Sequence, residues 1–188
     1  MIWFTSDMHL GHEKALDFTC RPWNQIDEMN EGIIANINEK VKENDELYIL
    51  GDYSFKTTAL EAAALRKKIY CKKVHLVPGN HDKDWNNKLV QGTFIVEQPI
   101  TVLKIDGRKY VLSHFPMADW QSMSHESIHL HGHIHSEGSL YNEMNRIQGL
   151  YRYDVGVDAN GYSPVSMEEI LAWFDGVECR GRVKWKDW

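Results

Sequence analysis

Apolar residues along the chain fall into short β-prone runs separated by helical stretches. Ile2 to Thr5 is a run of four, ended at once by Ser6 and Asp7. Ile26, Met29, Ile33, Ile34, Ile37 and Val41 recur at the spacing of one helix face, which predicts an amphipathic helix over Gln25 to Lys42. Asn44-Asp45 stops it, and Leu47 to Leu50 reads as the next strand. Thr58 and Glu61 form a capping box for a helix running through Leu65 and Ile69. Val74 to Val77 is a third strand. The pattern then changes. Val102 to Ile105 and Lys109 to Leu112 flank Asp106-Gly107, a pair that suits the positive φ values of a type I′ hairpin turn. Ile128 to Leu130 and Tyr151 to Val157 are further strand candidates. Ser166 and Glu169 make a second capping box, for a helix through Phe174. Cys179 to Lys186 alternates small or apolar residues with basic ones, as a half-buried strand does. These elements predict an α/β fold of two packed mixed β-sheets with helices outside, in four layers.

Composition narrows the classes. The 188 residues fit one domain, 1–188, long enough to bury a core without disulfides or metal staples. The hydrophobic share of 43% excludes wholesale disorder. The net charge of -6 does not favour indiscriminate binding to nucleic acid or anionic membrane. No apolar run approaches the ~20 residues of a membrane span. Cys20, Cys71 and Cys179 are odd in number and widely spaced, which points to a reducing, cytoplasmic setting. The N-terminus lacks the basic and apolar regions of a signal peptide.

Histidine is the unusual residue: five of the ten lie between His125 and His135. The groups able to bind metal ions each begin just past the end of an apolar run. Asp7 and His9 follow Ile2 to Thr5, and Asp52 follows Leu47 to Leu50. Asn80, His81 and Asp82 follow Val74 to Val77. His114 follows Tyr110 to Leu112, and His133 and His135 follow Ile128 to Leu130. In open α/β sheets that carboxyl edge is where ligands bind. Gly51, Gly79 and Gly132 each stand directly before a candidate ligand, where a chain must turn sharply.

Asp7-Met8-His9, Gly51-Asp52, Gly79-Asn80-His81-Asp82, His114 and Gly132-His133-Ile134-His135, in that order, resemble the blocks of the calcineurin-like metallophosphoesterase superfamily. Thr5 to His12, Arg21-Pro22-Trp23 and Val155 to Gly161 further resemble a small bacterial and phage-associated group within it. The resemblance implies two divalent metal ions bridged by Asp52 and a hydroxide. Asp7, His9, Asp52 and His135 would hold the first ion; Asn80, His114 and His133 would complete the second. Imidazole and carboxylate ligands without thiolate suit Mn, Fe, Ni or Zn. His81 would protonate the leaving group as general acid, oriented by Asp82, while the bridging hydroxide attacks in line. His12 and Arg21 are candidates for substrate binding, Arg21 by bidentate phosphate contact or, alternatively, as a surface ion-pair partner. His75, His125, His129 and His131 read as structural side chains. Asp154 and Asp158 flank Gly156 and are candidates for supporting the site from the next strand, with turn and capping duty the favoured reading.

The expected activity is therefore that of a metal-dependent phosphohydrolase, a phosphodiesterase acting on a small phosphate ester. A nuclease acting on single-stranded nucleic acid is a less favoured alternative, supported by Lys67-Lys68, Lys72-Lys73 and the basic tail. A non-catalytic interaction module that keeps the fold is a third reading.

Overall fold

The computed structural model describes residues 1–180, and within them two mixed sheets pack face to face. The first has the order β4 (Ile95–Val96), β3 (Lys73–Leu76), β2 (Glu46–Ile49), β1 (Ile2–Thr5), β9 (Val165–Ser166). Its first four strands are parallel and β9 is antiparallel. The second has the order β5 (Ile100–Ile105), β6 (Arg108–Ser113), β7 (Ile128–His131), β8 (Arg152–Asp154).

Alternation along each strand supplies two cores. On β1, Trp3 points into a core shared with α2 (Ile26–Lys40), which follows the single-turn α1 (Ala15–Phe18) and whose Met29, Ile33 and Ile37 are fully buried. Phe4, the next residue, points the other way. It joins Tyr48, Leu50 and Val77 against Tyr110, Leu112, Ile128 and Leu130 of the second sheet. The central strands are apolar on both faces because each face is covered. Val111, Trp120 and Met123 form a third cluster on the outer side of the second sheet.

The capping boxes form as expected. Thr58 caps α3 (Ala59–Arg66) and Ser166 caps α5 (Met167–Trp173). Each helix is shorter than its apolar pattern suggested. The Asp106-Gly107 turn has φ of 49° and 82°, as a type I′ turn requires. The second half is otherwise less antiparallel than its hairpin signal implied, since β6, β7 and β8 run parallel. The strand expected over Tyr151 to Val157 is only β8. Beyond it the chain bridges to Ser6 through Gly156 and turns into a short 3-10 helix, Val157–Ala159. That bridge ties the second sheet to the end of β1. The strand expected over Cys179 to Lys186 lies, from residue 181 on, outside the described residues. A further helix, α4 (Leu140–Ile147), packs beside β8. No helix among the described residues is long and apolar enough to cross a membrane.

Candidate metal centre

The ends of β1, β2, β3, β6 and β7 converge at one edge of the sheets. There the loops after β1 and β2 are stitched by hydrogen bonds: Asp7 N to Gly51 O at 3.1 Å and His9 N to Asp52 O at 3.0 Å. Gly132 N likewise donates to His114 O, joining the ends of β7 and β6. Asp7, His9, Asp52, His133 and His135 all have positive φ, between 48° and 73°. Left-handed backbone is disfavoured for residues with a Cβ, and its concentration at one site marks a place held by its surroundings.

Short distances connect the seven expected ligands without a break. His9 Nε2 lies 3.1 Å from His135 Nε2, which is 3.8 Å from Asp7 Oδ1. Asp52 Oδ2 stands between two imidazoles, 3.6 Å from His9 Nε2 and 3.5 Å from His114 Nε2. His114 Nε2 is 2.8 Å from Asn80 Oδ1 and 3.2 Å from His133 Nδ1. For metal–ligand bonds of about 2.1 Å, neighbouring ligand atoms are expected about 3.0–3.4 Å apart. The ligand atoms of Asp7, His9 and His135 lie within 4.8 Å of one another, as do those of Asp7, Asp52 and His114, at or somewhat beyond that spacing.

The donor set itself calls for cations. Leu50 O can only accept, so His114 Nδ1 donates to it at 2.9 Å, and in the neutral ring Nε2 keeps a lone pair. That lone pair faces Asn80 Oδ1 and Asp52 Oδ2, which are also acceptors. Similarly, His135 Nδ1 donates to Asp158 Oδ2 at 2.7 Å, aiming the Nε2 lone pair inward. Asp7 Oδ2 accepts from Ser6 Oγ and from His133 N, while the buried Oδ1 has no hydrogen-bond partner. Asp52 divides its oxygens the same way: Oδ1 accepts from His81 N, and Oδ2 faces the centre. Converging lone pairs and a buried bare carboxylate oxygen fit divalent metal ions.

Burial and charge act differently on the individual groups, and a cation would have to displace the proton that acidic neighbours favour on His135. Burial raises the Asp7 carboxyl to about 6, against the pull of His135 and His114. Burial lowers His9 to about 2, helped by the positive charge of neighbouring groups, so its ring is neutral and able to ligate. Burial alone would lower His135, but the Asp158 hydrogen bond and the charge of Asp7 raise it instead.

Three expectations about neighbouring residues are corrected. Arg21 does not face the pocket. All five of its N–H donors are used inside the protein: Nε and Nη2 on Asp158, Nη1 on Met8 O and Met29 Sδ, and Nη2 also on Asp7 O. The ion pair it makes is buried, not at the surface. Asp82 does not bond the His81 ring. Its carboxylate accepts from the amides of Gly79, Asp52 and Tyr53 at 2.8, 2.8 and 3.1 Å and so fixes the loops around Asp52. Asp158 does more than cap a turn, since it holds both His135 and Arg21. His81 is exposed, with its ring 4.3 Å from Phe55 and 5.7 Å from His9. His12 lies edge-on to Phe55 at 4.7 Å and 5.7 Å from His9.

Ser6 is the contributor that sequence reasoning missed, and a supporting role for Asp158 was the less favoured of its two readings. Both lie in segments already singled out, Thr5 to His12 and Val155 to Gly161. Asp154 anchors the loop just past His135, through Ser136 Oγ and the amide of Gly156. His75 and His129 are structural, as expected. His75 stacks on Tyr48 and pairs with Glu97, while His129 bonds Val111 O and Met117 N.

The sequence profile of a family described as calcineurin-like phosphoesterase matches residues 1–159. An uncharacterized protein of Methanocaldococcus jannaschii is 25% identical over 174 residues, covering 90% of this chain and 89% of that protein. The Gene 66 protein of Mycobacterium phage L5 is 29% identical over 201 residues, covering 89% of this chain and 91% of that protein. The crystal structure of a protein of unknown function from Aquifex aeolicus shares the fold. Its TM-score is 0.71 at 24% identity, over 92% of this chain and 98% of that one.

Proposed function

The chain belongs to the calcineurin-like phosphoesterase family, and from that premise we propose that it is a dinuclear-metal phosphohydrolase whose substrate is a small phosphodiester. The observation that carries this reading is the position of Asp52. A single carboxylate oxygen stands about equally far from His9 Nε2 and His114 Nε2, at 3.6 and 3.5 Å, where a bridging ligand would sit. Asp7, His9, Asp52 and His135 would hold one cation; Asp52, Asn80, His114 and His133 would hold the other. Mn, Fe, Ni and Zn suit this set of four imidazoles, two carboxylates and an amide oxygen. Such cations, when bound, neutralise phosphoryl oxygens and make coordinated water acidic near neutral pH.

The protein's own groups do the rest. Ser6 Oγ and the His133 amide hold one oxygen of Asp7, so the other points inward. The His81 amide does the same for Asp52. The exposed His81 ring lies 5.7 Å from that of His9, on the open side of the candidate metal centre. There a ring N–H would pass its proton to the departing alkoxide. Asp82 keeps this arrangement by gripping three amides on two loops. His12 lies on the same side against Phe55 and would meet a phosphoryl oxygen. Three free cysteines, at 20, 71 and 179, suit a reducing, cytoplasmic compartment.

Three of the four lysines near α3 already face a carboxylate, which weakens the case for a polymeric nucleic acid substrate. Lys68, Lys72 and Lys73 are each matched by a glutamate, Glu31, Glu43 and Glu46.

The test is hydrolysis of bis-p-nitrophenyl phosphate by protein loaded with Mn²⁺ or Ni²⁺. On a dialkyl phosphodiester, whose leaving alkoxide needs a proton, His81→Asn should lower kcat by roughly 10²–10⁴-fold with metal content unchanged, the usual weight of a general acid. Asp52→Asn should remove activity together with at least one equivalent of metal. Wild-type rates in either folded variant would overturn the proposal.

A further inference from the structure

Two phenylalanines stand against the candidate ligands, and their rings are used differently. The Phe55 ring lies 4.3 Å from His81 and 4.7 Å from His12, edge to face with the latter. The Lys56 ammonium sits 5.0 Å from its centroid. Protein groups therefore surround it. Phe115 directly follows His114. Its ring lies 4.4 Å from that of His133 and 5.0 Å from that of His114, yet the residue is 50% exposed.

A lone exposed apolar side chain is ordinary; the placement and fixation of this one are not. The Phe115 carbonyl accepts from Ser113 Oγ at 2.7 Å, and Pro116 restricts its backbone from the other side. Its ring leans on two imidazoles assigned to one metal site. The other aromatic ring among the exposed apolar residues described, Tyr70 at 69%, borders a groove with Asn38 and Lys42 instead. A phosphate seated beside His114 and His133 would bring its ester substituent to the outward side of Phe115. That side of the ring is an apolar surface left half exposed.

We infer that the open face of Phe115 is a stacking surface for a planar ring on the substrate, which makes the preferred ester a small nucleotide phosphodiester. This rests on the phosphohydrolase reading for where the phosphate lies. Phe115 is thereby a specificity-determining residue that touches the non-leaving part of the ester. Stacking of a base on an aromatic ring corresponds to a factor of roughly 5–150 in binding.

The experiment compares two p-nitrophenyl esters with the same leaving group: that of thymidine 5′-phosphate, and that of the base-free 1,2-dideoxyribose 5-phosphate. The metal-loaded wild type should prefer the thymidine ester by roughly 5–150-fold in kcat/KM, expressed mainly in KM. Phe115→Leu should bring that ratio close to one, and Phe115→Trp should keep it. Calorimetric titration with thymidine 5′-phosphate and with inorganic phosphate supplies a readout independent of turnover. The nucleotide should bind more tightly than phosphate by a similar factor, and lose that advantage in Phe115→Leu. A ratio near one in the wild type, or an unchanged ratio in Phe115→Leu, overturns the inference. If neither ester is cleaved, the hydrolase proposal falls, while the titration still decides whether Phe115 binds a base.

Discussion

Replacing Asp158 by Asn tests whether the buried pair beneath the pocket holds fold and metal centre together. The Arg21 and Asp158 side chains are 0% and 2% exposed, and two hydrogen bonds of 2.9 and 3.0 Å join them. Against the desolvation of its burial, the bonds from His135 and Arg21 keep the Asp158 carboxyl below its usual range, so both groups are charged at pH 7. Removing one charge leaves the Arg21 guanidinium buried and uncompensated, which costs about 3–5 kcal/mol. The side-chain amide of Asp158→Asn would keep one acceptor oxygen, and Met8 O and Asp7 O would remain. The lower end, ~3 kcal/mol, is therefore expected. Guanidinium chloride unfolding of the chelator-treated protein at pH 7, followed by tryptophan fluorescence, measures this loss. Arg21→Met combined with Asp158→Asn removes both charges. It should lose about 2 kcal/mol less than the sum of the single losses. Arg21→Lys should not substitute, because one ammonium cannot reach four separate residues. Asp158→Asn should also weaken metal binding roughly 10–100-fold, since His135 loses its carboxylate acceptor. A loss below ~1 kcal/mol, or single-variant losses that simply add, would refute the picture of a coupled buried pair.

Gly132→Ala should fold yet bind metal at least ~10-fold more weakly, because a Cβ there would overlap Ser6 Oγ and Asp7 Oδ2 and displace the carboxylate. Wild-type affinity by calorimetric titration would contradict this. The metal-free protein should lose stability as pH falls from 6.5 to 5. Burial lowers His129 to about 4 and His131 to about 3, so the unfolded chain takes up protons first, at about 2 kcal/mol per histidine by pH 5. Denaturation midpoints that do not fall between pH 7 and 5 would remove this explanation.

What was legible in the sequence is what depends on neighbours in the chain. The apolar period of α2, the two capping boxes and the Asp106-Gly107 turn each need only a few consecutive residues. All of them form. The convergence of the candidate ligands was legible because each chemical group directly follows an apolar run. Strand ends that share a sheet edge are then brought together by the sheets themselves. What was not legible depends on distant pairing. Arg21 reads locally as a guanidinium in a Cys-Arg-Pro loop. Its partner Asp158 lies 137 residues away, and only the folded chain shows that every N–H is consumed. Asp82 sits beside His81 in the chain, but the amides that claim its carboxylate come from the end of β2 and the loop after β3. The parallel run β6 to β8 was hidden for a related reason: a hairpin signal is local and strong, while a parallel pairing leaves no turn to read.

The centre is held in a conformation that the isolated chain would not choose, and Asp7 makes the point quantitatively. Its backbone is left-handed, with φ of 57°, and its carboxyl is fully buried with Oδ1 unpartnered. Burial raises its pKa from 3.8 to about 6 in the metal-free protein. The folded state therefore holds its proton up to a higher pH than the unfolded chain. The metal-free fold is unaffected by this below pH 3.8, and loses stability progressively as pH rises towards 6. At pH 7 the loss is on the order of 3 kcal/mol, because each tenfold change in proton affinity between folded and unfolded chain is worth about 1.36 kcal/mol. Asp7→Asn keeps the shape and an oxygen to accept from Ser6 Oγ and His133 N, but removes the buried charge. The metal-free variant should thus be more stable than the wild type at pH 7, by about 1–3 kcal/mol, and no different at pH 3.5. Its first metal site should be lost. A carboxylate that weakens the empty fold and is needed only when a cation arrives is the signature of a residue kept for binding. An Asp7→Asn protein less stable than the wild type at pH 7 would show instead that the charge serves the fold.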